Sequence, residues 1–299
     1  MDRLHLMSVY IAVAEAESFA GGARRLGMSP PAVTRAVAAL EARLGVKLLD
    51  RTTRHVRATD AGQRYLEDAR RIVAASDEAD EAAAGINAVP RGHLAVTAPV
   101  LFGKMFVTPG IVDYLQRYPD MEVSALFLDR VVNLLDEGLD VGVRIGELPD
   151  SSFKAVRVGR VRRVVCAAPA YLEKHGLPKQ PDDLRQHQIV AASGVSPSVE
   201  WKFSRDGVDQ SVRIRPRLTV TSNDAAIEAA VCGFGVTRLM SYQVAPQLAA
   251  GELKIVLGEY EQAPLPIHVV HREGRYASAK IRSFVDLIAE RLKAEKSLN

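Results

Sequence analysis

A glycine and a serine two residues apart, Gly27 and Ser29, separate two short amphipathic segments near the start of the chain. Before them, Ser18 is placed to cap a helix over Phe19–Leu26, and Gly27 ends that helix because glycine accepts a positive φ. After them, Ser29 is placed to cap another helix that begins at Pro30, where a missing N–H costs nothing. The pattern predicts two helices joined by a tight turn.

The second of these helices is predicted to bury one face and expose the other. Its apolar residues, spaced by four, three and four, are Val33, Val37, Leu40 and Leu44. Thr34, Arg35 and Ala38 lie on the opposite side near its start. Small and basic residues there suit entry into the major groove of DNA. Gly45 ends the helix, and residues 46–58 are predicted to form a two-stranded wing.

The charge of this region is strongly positive, although the formal net charge of the 299-residue chain is only +3. Residues 24–57 contain eight basic and two acidic side chains, whereas residues 60–81 contain seven acidic and three basic ones. A basic module of this kind suits a polyanionic partner. A solvated helical face is the alternative interpretation of the same charges.

Two further helices are predicted around this unit. The first has an apolar face formed by Leu4, Met7, Ile11 and Ala14. The other is long, runs over residues 60–86 and is capped by Thr59. Positions alternating by three and four along it carry mostly small residues, namely Gly62, Tyr65, Ala69, Ile72, Ser76, Ala79, Ala83 and Ile86. Such a seam suits close packing of a second helix, and an exposed spacer helix is the alternative.

After residue 92 the pattern changes to alternating strands and helices, which favours an α/β domain. The candidate strands are Leu94–Ala98, Glu122–Leu128, Val141–Ile145, Val164–Ala168, Arg217–Thr221 and Ile267–His271. The candidate helices are Val107–Tyr118, Val131–Glu137, Asn223–Cys232 and Ser278–Lys293.

The run SFAGGARRLGMSPPAVTRAVAALEARLGVKLLDRTTRHVRATDAG resembles the DNA-binding region of LysR-type transcriptional regulators. The later segments GHLAVTAPVLFG, DEGLDVGVRIGELPDS, VRRVVCAAPAYLEKHG and LPIHVVHR resemble the effector domain of the same family. The resemblance implies a mainly α winged helix-turn-helix (residues 1–59) with a long linker helix (60–89). It further implies an α/β domain (90–299) with the two-lobed fold of type 2 periplasmic binding proteins. Its lobes would comprise residues 90–163 with 265–299, and residues 164–264.

The same resemblance implies a transcriptional regulator that binds double-stranded promoter DNA and is modulated by a small-molecule effector held between the lobes. It implies a homodimer or homotetramer paired through the linker helix, with RNA polymerase as a further candidate partner. The N-terminus lacks a signal-peptide pattern, and no run approaches the ~20 apolar residues of a membrane span. We therefore expect a cytoplasmic protein without a membrane partner.

The candidate DNA contacts follow from this alignment of motifs. Phosphate contacts are expected from Ser18, Arg51, Thr52 and Arg54, base contacts from Thr34 and Arg35, and packing against thymine methyls or sugars from Pro31 and Ala32. Ser29, Pro30 and His55 complete the set. Members of the family often have glutamine where this chain has Pro30, so the half-site sequence is left open.

The candidate effector contacts lie at strand ends and helix starts, where free N–H groups favour anions. They are Thr97, Pro99, Val100, Leu101, Asp129, Arg144, Ile145, Gly146, Ser193, Thr221, Ser222, Asn223 and Arg238. Arg144 and Arg238 suit pairing with a carboxylate, and a salt bridge is the alternative for each. Pro99 stands where other family members have a hydroxyl residue. For Asp129, the alternative interpretation is that it only caps a helix.

Signals for an enzyme are weak, so we expect no catalytic site, metal or cofactor. Residues 233–235 lack the third glycine of a dinucleotide fingerprint, and His268 and His271 face opposite sides of a predicted strand. The two cysteines, Cys166 and Cys232, lie in apolar runs typical of buried inert thiols, with a redox-sensing pair as the alternative. A solute-binding receptor is the other function considered, but it would carry a signal peptide and no basic helix-turn-helix.

Overall fold

The computed structural model describes residues 2–51, 56–84, 89–130, 132–134, 137–148, 153–192, 200–272 and 278–298. The chain divides into two compact units, Met1–Ala88 and Val89–Asn299. The predicted contact residues Thr52, Arg54, His55 and Ser193 and the seam residue Ile86 lie outside the described ranges.

The N-terminal unit is helical with one small hairpin. Its elements are α1 (Arg3–Glu15), α2 (Phe19–Arg25), α3 (Pro30–Leu44), β1 (Leu49–Arg51), β2 (Val56–Ala58) and α4 (Asp60–Ala84). The core is formed where α1 meets α2, α3 and α4, and Tyr10, Leu40 and Leu48 are its largest fully buried side chains.

The predicted apolar face of α1 is incomplete, since only Met7 of its four residues is fully buried. The helix buries Leu6, Met7, Val9, Tyr10, Ala12 and Val13, whereas Leu4, Ile11 and Ala14 are half-buried. Three helices pack around α1, so most of its circumference is covered and a single stripe does not describe it.

The C-terminal unit is α/β. Its strands are β3 (Gly92–Ala98), β4 (Met121–Phe127), β5 (Val141–Ile145), β6 (Phe153–Val161), β7 (Arg163–Ala167), β8 (Ile189–Ala192), β9 (Glu200–Arg205), β10 (Val208–Arg213), β11 (Pro216–Val220), β12 (Val236–Met240), β13 (Lys254–Val256) and β14 (Leu265–Arg272). Its helices are α5 (Val100–Phe102), α6 (Thr108–Arg117), α7 (Pro169–His175), α8 (Asn223–Val231), α9 (Ala245–Ala249) and α10 (Ala279–Ala294). The π-helical turn Gly103–Val107 joins α5 to α6.

These strands form two five-stranded sheets and a hairpin. The first sheet has the order β4-β3-β5-β14-β6, and we call the residues around it, 89–161 and 265–298, lobe I. The second has the order β11-β8-β12-β7-β13, and residues 163–256 around it are lobe II. In each sheet three neighbouring strands are parallel, while the remaining two pair antiparallel. The hairpin β9–β10 belongs to lobe II by sequence.

The chain passes between the sheets twice. The first passage is a single residue, Arg162, between β6 and β7, and the second is the segment 257–264 between β13 and β14. Arg162 Nη1 bonds both carboxylate oxygens of Glu261, at 3.1 and 2.9 Å, so the two passages are joined to each other.

The N-terminal unit is mainly α and the C-terminal unit is α/β, as expected of each. The helix predicted over Val131–Glu137 is wrong, since residues 132–134 are not helical. Val132 and Leu134 are both buried against Leu139 and Val270, an alternation that extended backbone supplies and a helix does not.

Candidate DNA-binding surface and effector site

Helix α3 has one buried and one exposed face, as its pattern predicts. The buried side consists of Val33, Ala36, Val37 and Leu40. The exposed side consists of Pro30, Pro31, Arg35 and Ala38, bordered by the half-buried Ala32 and Thr34. Arg35 Nε makes only a long 3.4 Å contact with the carbonyl oxygen of Pro31, so its guanidinium can reach an external partner.

The turn before α3 follows the predicted chemistry with one exception. Ser18 Oγ accepts a 3.2 Å hydrogen bond from Gly21 N, and Gly27 has a φ of 60°, which confirms the cap and the stop of α2. Ser29 occupies the N-cap position of α3, but its hydroxyl makes no capping hydrogen bond, so that part of the prediction is wrong. The next two residues are prolines without N–H groups, and Ala32 N donates to the Ser29 backbone carbonyl instead.

A buried carboxylate connects α3 to the wing. Glu41 is 4% exposed, and its Oε1 accepts hydrogen bonds from Leu48 N at 2.9 Å and Leu49 N at 3.2 Å. Lys47 Nζ lies 2.7 Å from Oε2. Burial by itself would raise the pKa of Glu41, but the hydrogen bonds from Lys47 and the two backbone groups outweigh it, and the pKa falls below its ordinary value.

The wing is a short antiparallel pair. Leu49 pairs with Ala58, Asp50 with Arg57, and Arg51, the last residue of β1, with Val56. Arg57 is exposed, whereas Leu49 is buried in the core of the unit. The hairpin is therefore anchored along one side.

The start of α4 packs closely on the wing. Thr59 Oγ1 accepts a hydrogen bond from Gly62 N at 2.9 Å and donates one to Lys47 O at 2.8 Å, which confirms the predicted cap. Tyr10 OH donates to Gly62 O at 2.9 Å. A Cβ atom at Gly62 would lie 2.0 Å from Leu48 O, so glycine is required at this position.

The small-residue seam of α4 divides into two halves. Gly62 and Ala69 are buried within the N-terminal unit, and the ring of Tyr65 contacts that of Tyr10 at a tilt, with ring centres 5.8 Å apart. Further along, Ile72 is 44% exposed. The first half of the predicted seam is therefore occupied by the chain itself, whereas Ile72 and Ala79 further along are exposed.

In lobe I, the candidate effector residues after β3 differ in accessibility. Thr97 is 1% exposed, and its Oγ1 has no hydrogen-bond partner among the described residues. Pro99 is half-buried at the start of α5, Leu101 is buried, and Val100 is 38% exposed. Of these residues, Val100 has the most exposed side chain.

Asp129 joins the two lobes through its carboxylate. Its Oδ1 accepts a 3.0 Å hydrogen bond from Val100 N in lobe I, and its Oδ2 accepts one of 3.0 Å from Asn223 Nδ2 in lobe II. We call this arrangement the interlobe contact. The two predicted anion-binding positions are thus brought together around one carboxylate. Nearby, Ser222 Oγ accepts from Ala225 N at 3.3 Å as the cap of α8, and Thr221 is exposed.

An aromatic cluster adjoins the interlobe contact. The ring of Tyr242 in lobe II meets Phe102 and Phe106 of lobe I edge-on, with centres 5.3 and 5.8 Å apart. Tyr242 is 1% exposed, and burial together with the charge of Asp129 raises the pKa of its hydroxyl. No feature of the local sequence marks Tyr242, because its partners lie about 140 residues away.

Arg144 and its neighbours serve the structure of lobe I. Arg144 Nη2 donates to Val132 O at 2.7 Å and thereby holds the loop after β4, and burial lowers its pKa. Ile145 is half-buried, and Gly146 has a φ of 116° and donates its N–H to Pro266 O at 2.8 Å. Among the described residues Arg144 forms no salt bridge, and its contact with an effector stays a prediction.

Arg238 lies on β12 apart from the residues of the interlobe contact. Its guanidinium carbon is 4.9 Å from the centre of the Trp201 ring, and its Nη1 donates to Lys202 O at 3.2 Å. Burial, reinforced by the nearby charge of Arg163, lowers the pKa of Arg238 to about 9.

Two family models match the chain. Residues 4–63 match the helix-turn-helix of bacterial regulatory proteins of the lysR family, and residues 87–293 match the LysR substrate binding domain. This chain belongs to the LysR family. It is accordingly a LysR-type transcriptional regulator with a DNA-binding helix-turn-helix and an effector-binding domain.

Relatives of the whole chain agree with this assignment. A helix-turn-helix transcriptional regulator of Haemophilus influenzae is 32% identical over 281 residues, covering 94% of this chain and 98% of its own. The solved structure of CrgA, a LysR-type regulator from Neisseria meningitidis, superposes with a TM-score of 0.62 at 29% identity and covers 96% of this chain and 98% of CrgA. The Vibrio cholerae virulence activator AphB, at 24% identity, has a TM-score of 0.63 over 97% of this chain and 99% of its own, and supports the fold alone.

The thiols of this LysR family member differ in environment. Cys166 is buried, and burial raises its pKa to about 12, whereas Cys232 is exposed, with Sγ 3.7 Å from Glu228 Oε1. Both are free thiols. The expectation of two buried cysteines is therefore wrong for Cys232, because it caps the exposed end of α8.

The described ranges contain no group of three or more His, Cys, Asp or Glu side chains arranged to hold a metal ion. Within the same ranges, no helix combines the length and the hydropathy that crossing a bilayer requires.

Proposed function

We propose that α3 is the element of this LysR-type regulator that reads promoter DNA. The observation that carries the proposal is the division of α3 into a face buried in the core and a face of small and basic residues at its N-terminal end. Pro31, Thr34 and Arg35 would meet base edges and thymine methyl groups, and Ser18 and Ser29 would meet phosphates before and beside the helix.

The surface charge supports this proposal. Arg24, Arg35, Arg43 and Arg57 are all exposed, and none of them forms an ion pair with a carboxylate among the described residues. By contrast, Arg25 and Arg70 are both bound to Glu15 and fix α2 and α4 to the end of α1. The unpaired arginines are available to neutralise phosphates, which makes binding dependent on salt.

We further propose that two copies pair through the second half of α4, around Ile72. A dimer would present two α3 helices to two half-sites, and pairing of dimers would give the tetramer, with RNA polymerase as a further partner. Removal of exposed apolar side chains from water would stabilise such a pair.

The effector is proposed to be a small anion, of which a carboxylate is the simplest form, bound between the lobes. Val100 N and Asn223 Nδ2 already bind a carboxylate, that of Asp129, so their geometry suits an anionic ligand. A ligand that takes over these donors would release Asp129 and change the relation of the lobes. Regulation of this kind needs differential affinity for two arrangements of the protein and no catalysis.

The DNA-reading role of α3 is tested with Arg35→Ala. The matched control is Arg43→Ala, which removes the same charge from the far end of the same helix. On a promoter fragment from beside the gene for this protein, Arg35→Ala is expected to cost about 1–3 kcal/mol of binding free energy. On random duplex the two variants should lose affinity equally. An equal loss on both DNAs for Arg35→Ala would make this residue a phosphate contact and refute base reading by it.

A further inference from the structure

A shallow recess, open to solvent, lies in lobe II beside the passages between the sheets. We call it the cationic recess. It is lined by Arg163, Val165, Lys202, Phe203, Arg238, Leu257, Tyr260, Glu261 and Gln262. It shares no residue with the interlobe contact, so it is a separate feature of the C-terminal unit.

Two arginines in the recess lie close together without an acid between them. Met240 on β12 is directly opposite Arg163 on β7, and Arg238 is opposite Val165, so both arginines project from the same side of the paired strands. Within the described ranges, the side chain of Arg163 has no hydrogen bond or ion pair, and the one side-chain hydrogen bond of Arg238 goes to Lys202 O. Most of their N–H donors are therefore uncommitted.

The one acidic residue that lines the recess is already engaged. Both carboxylate oxygens of Glu261 accept hydrogen bonds from Arg162, outside the lining. Lys202 adds a third positive charge at the exposed rim. The recess therefore has an excess of positive charge.

Such a pair is unfavourable without a partner. Burial lowers the pKa of both Arg163 and Arg238, and the charge of Arg163 further lowers that of Arg238. Partly buried like charges are normally paired with acids or separated. An anion between them would satisfy the free donors and remove the repulsion.

The remaining walls of the recess are apolar. Val165, Phe203 and Leu257 are buried apart from the small surface that each presents to the recess, and Tyr260 is half-buried. The Trp201 ring supports the guanidinium of Arg238 and limits its movement, which favours a planar two-point contact with a carboxylate. An inorganic anion would leave this apolar wall without a contact.

We propose that the cationic recess is a second ligand site, which binds a small organic acid with its carboxylate on Arg163 and Arg238 and its hydrocarbon part on Val165, Phe203 and Leu257. The site lies where lobe II meets the two passages to lobe I, so a ligand there contacts segment 257–262 as well as β7, β9 and β12. It is independent of the anion proposed for the interlobe contact.

The test uses the full-length protein and benzoate as an aromatic carboxylate probe, with affinity measured by calorimetry and melting temperature at constant ionic strength. Benzamide, which has the same shape without the charge, and inorganic phosphate are compared with it. The variants are Arg163→Gln and Arg238→Lys, and the control is Arg213→Gln, which removes an exposed charge from β10.

Benzoate is expected to bind and to raise the melting temperature, and benzamide and phosphate to bind at least about tenfold more weakly. Arg163→Gln and Arg238→Lys should each weaken benzoate at least about tenfold, whereas Arg213→Gln should not. Without ligand, Arg163→Gln should melt at the same or a higher temperature than the parent, because it removes a repulsion. If Arg163 instead stabilised the fold, Arg163→Gln would melt at a lower temperature than the parent.

Three results would overturn the proposal. The first is the absence of benzoate binding. The second is unchanged binding in Arg163→Gln, and loss of binding in Asn223→Ala would then place the probe at the interlobe contact. The third is phosphate binding as tight as benzoate, which would refute the contact with the apolar side chains. If Arg238→Lys does not fold, Arg163→Gln alone decides.

Discussion

The backbone N–H of Leu48 donates a 2.9 Å hydrogen bond to the buried carboxylate of Glu41, seven residues earlier. One acidic side chain thereby fixes the wing to the helix that we propose reads DNA. Its charge opposes the positive character of the module, yet it is buried and fully hydrogen-bonded, so its role is in the architecture of the module.

Replacement of Glu41 by glutamine is expected to lower the free energy of unfolding by about 1–3 kcal/mol at neutral pH, because hydrogen bonds to a charged acceptor become neutral ones. The pKa of Glu41 in the folded protein is lowered from its ordinary value of 4.5. Its stabilising contribution is therefore complete above about pH 4.5 and is lost as the pH falls through the lower folded-state pKa. Urea unfolding from pH 7 to pH 3 should show parent and variant converging on acidification. A difference in unfolding free energy between parent and variant that stays constant from pH 7 to pH 3 would contradict a stabilising role for the ionised Glu41.

Replacement of Gly62 by alanine should destabilise the N-terminal unit, although alanine is the better helix former by about 1 kcal/mol. The added Cβ would lie 2.0 Å from Leu48 O and 2.9 Å from Tyr10 OH, and the wing must move to admit it. We expect a loss of about 1–3 kcal/mol in thermal or urea unfolding. Gln63→Ala, at the exposed next position, is the control and should be nearly neutral. A stabilised Gly62→Ala variant would show that α4 does not pack on Leu48 in this way.

Replacement of Ile72 by aspartate should weaken self-association about tenfold or more, because it puts a charge into the proposed contact between α4 helices. Sedimentation over a concentration series measures the effect. Gln63→Asp introduces the same charge on the opposite side of α4 and should leave association unchanged. Equal dissociation constants for the two variants would exclude the second half of α4 as the dimer contact.

Asp129 and Asn223 should be energetically coupled, since they lie 94 residues apart in sequence and are joined by a 3.0 Å hydrogen bond. A double-mutant cycle with alanine at both positions should give a coupling of about 0.5–3 kcal/mol in the free energy of unfolding. The control is a second cycle with alanine at Asp129 and at Ser211, which lies on the hairpin β9–β10. The two changes in unfolding free energy should there add within about 0.5 kcal/mol. Additivity for Asp129 with Asn223 as well would mean that the interlobe contact is not formed in solution.

Local turn chemistry made the helix-turn-helix predictable from sequence. Ser18, Gly27, Gly45 and Thr59 have the roles that their residue types indicate, because caps and positive φ depend on neighbouring residues alone. Ser29 fails for an equally local reason, the two prolines that follow it. The face of α1 could not be read from spacing, since the covering helices come from elsewhere in the chain.

In the C-terminal unit, the predicted strands Val141–Ile145 and Leu94–Ala98 are present, whereas β6, β8, β12, β13 and the hairpin β9–β10 were not predicted. Among these, β6, β9 and β10 alternate charged and apolar residues and are half-exposed, so their apolar runs are short. The interlobe contact and the arginine pair depend on partners far apart in sequence. Arg238 was singled out by its sequence context, but its partner Arg163 was not, because pairing of β7 with β12 is a property of the fold.

The most direct test of the account is equilibrium binding of the full-length protein to duplex fragments taken from beside its own gene, measured while salt is raised. We expect tight binding in dilute buffer to at least one fragment. The logarithm of the affinity should fall linearly with the logarithm of salt concentration. Random duplex should be bound more weakly than this fragment. Absence of binding to every such fragment, even in dilute buffer, would contradict the assignment of α3 and the wing as a DNA-binding surface.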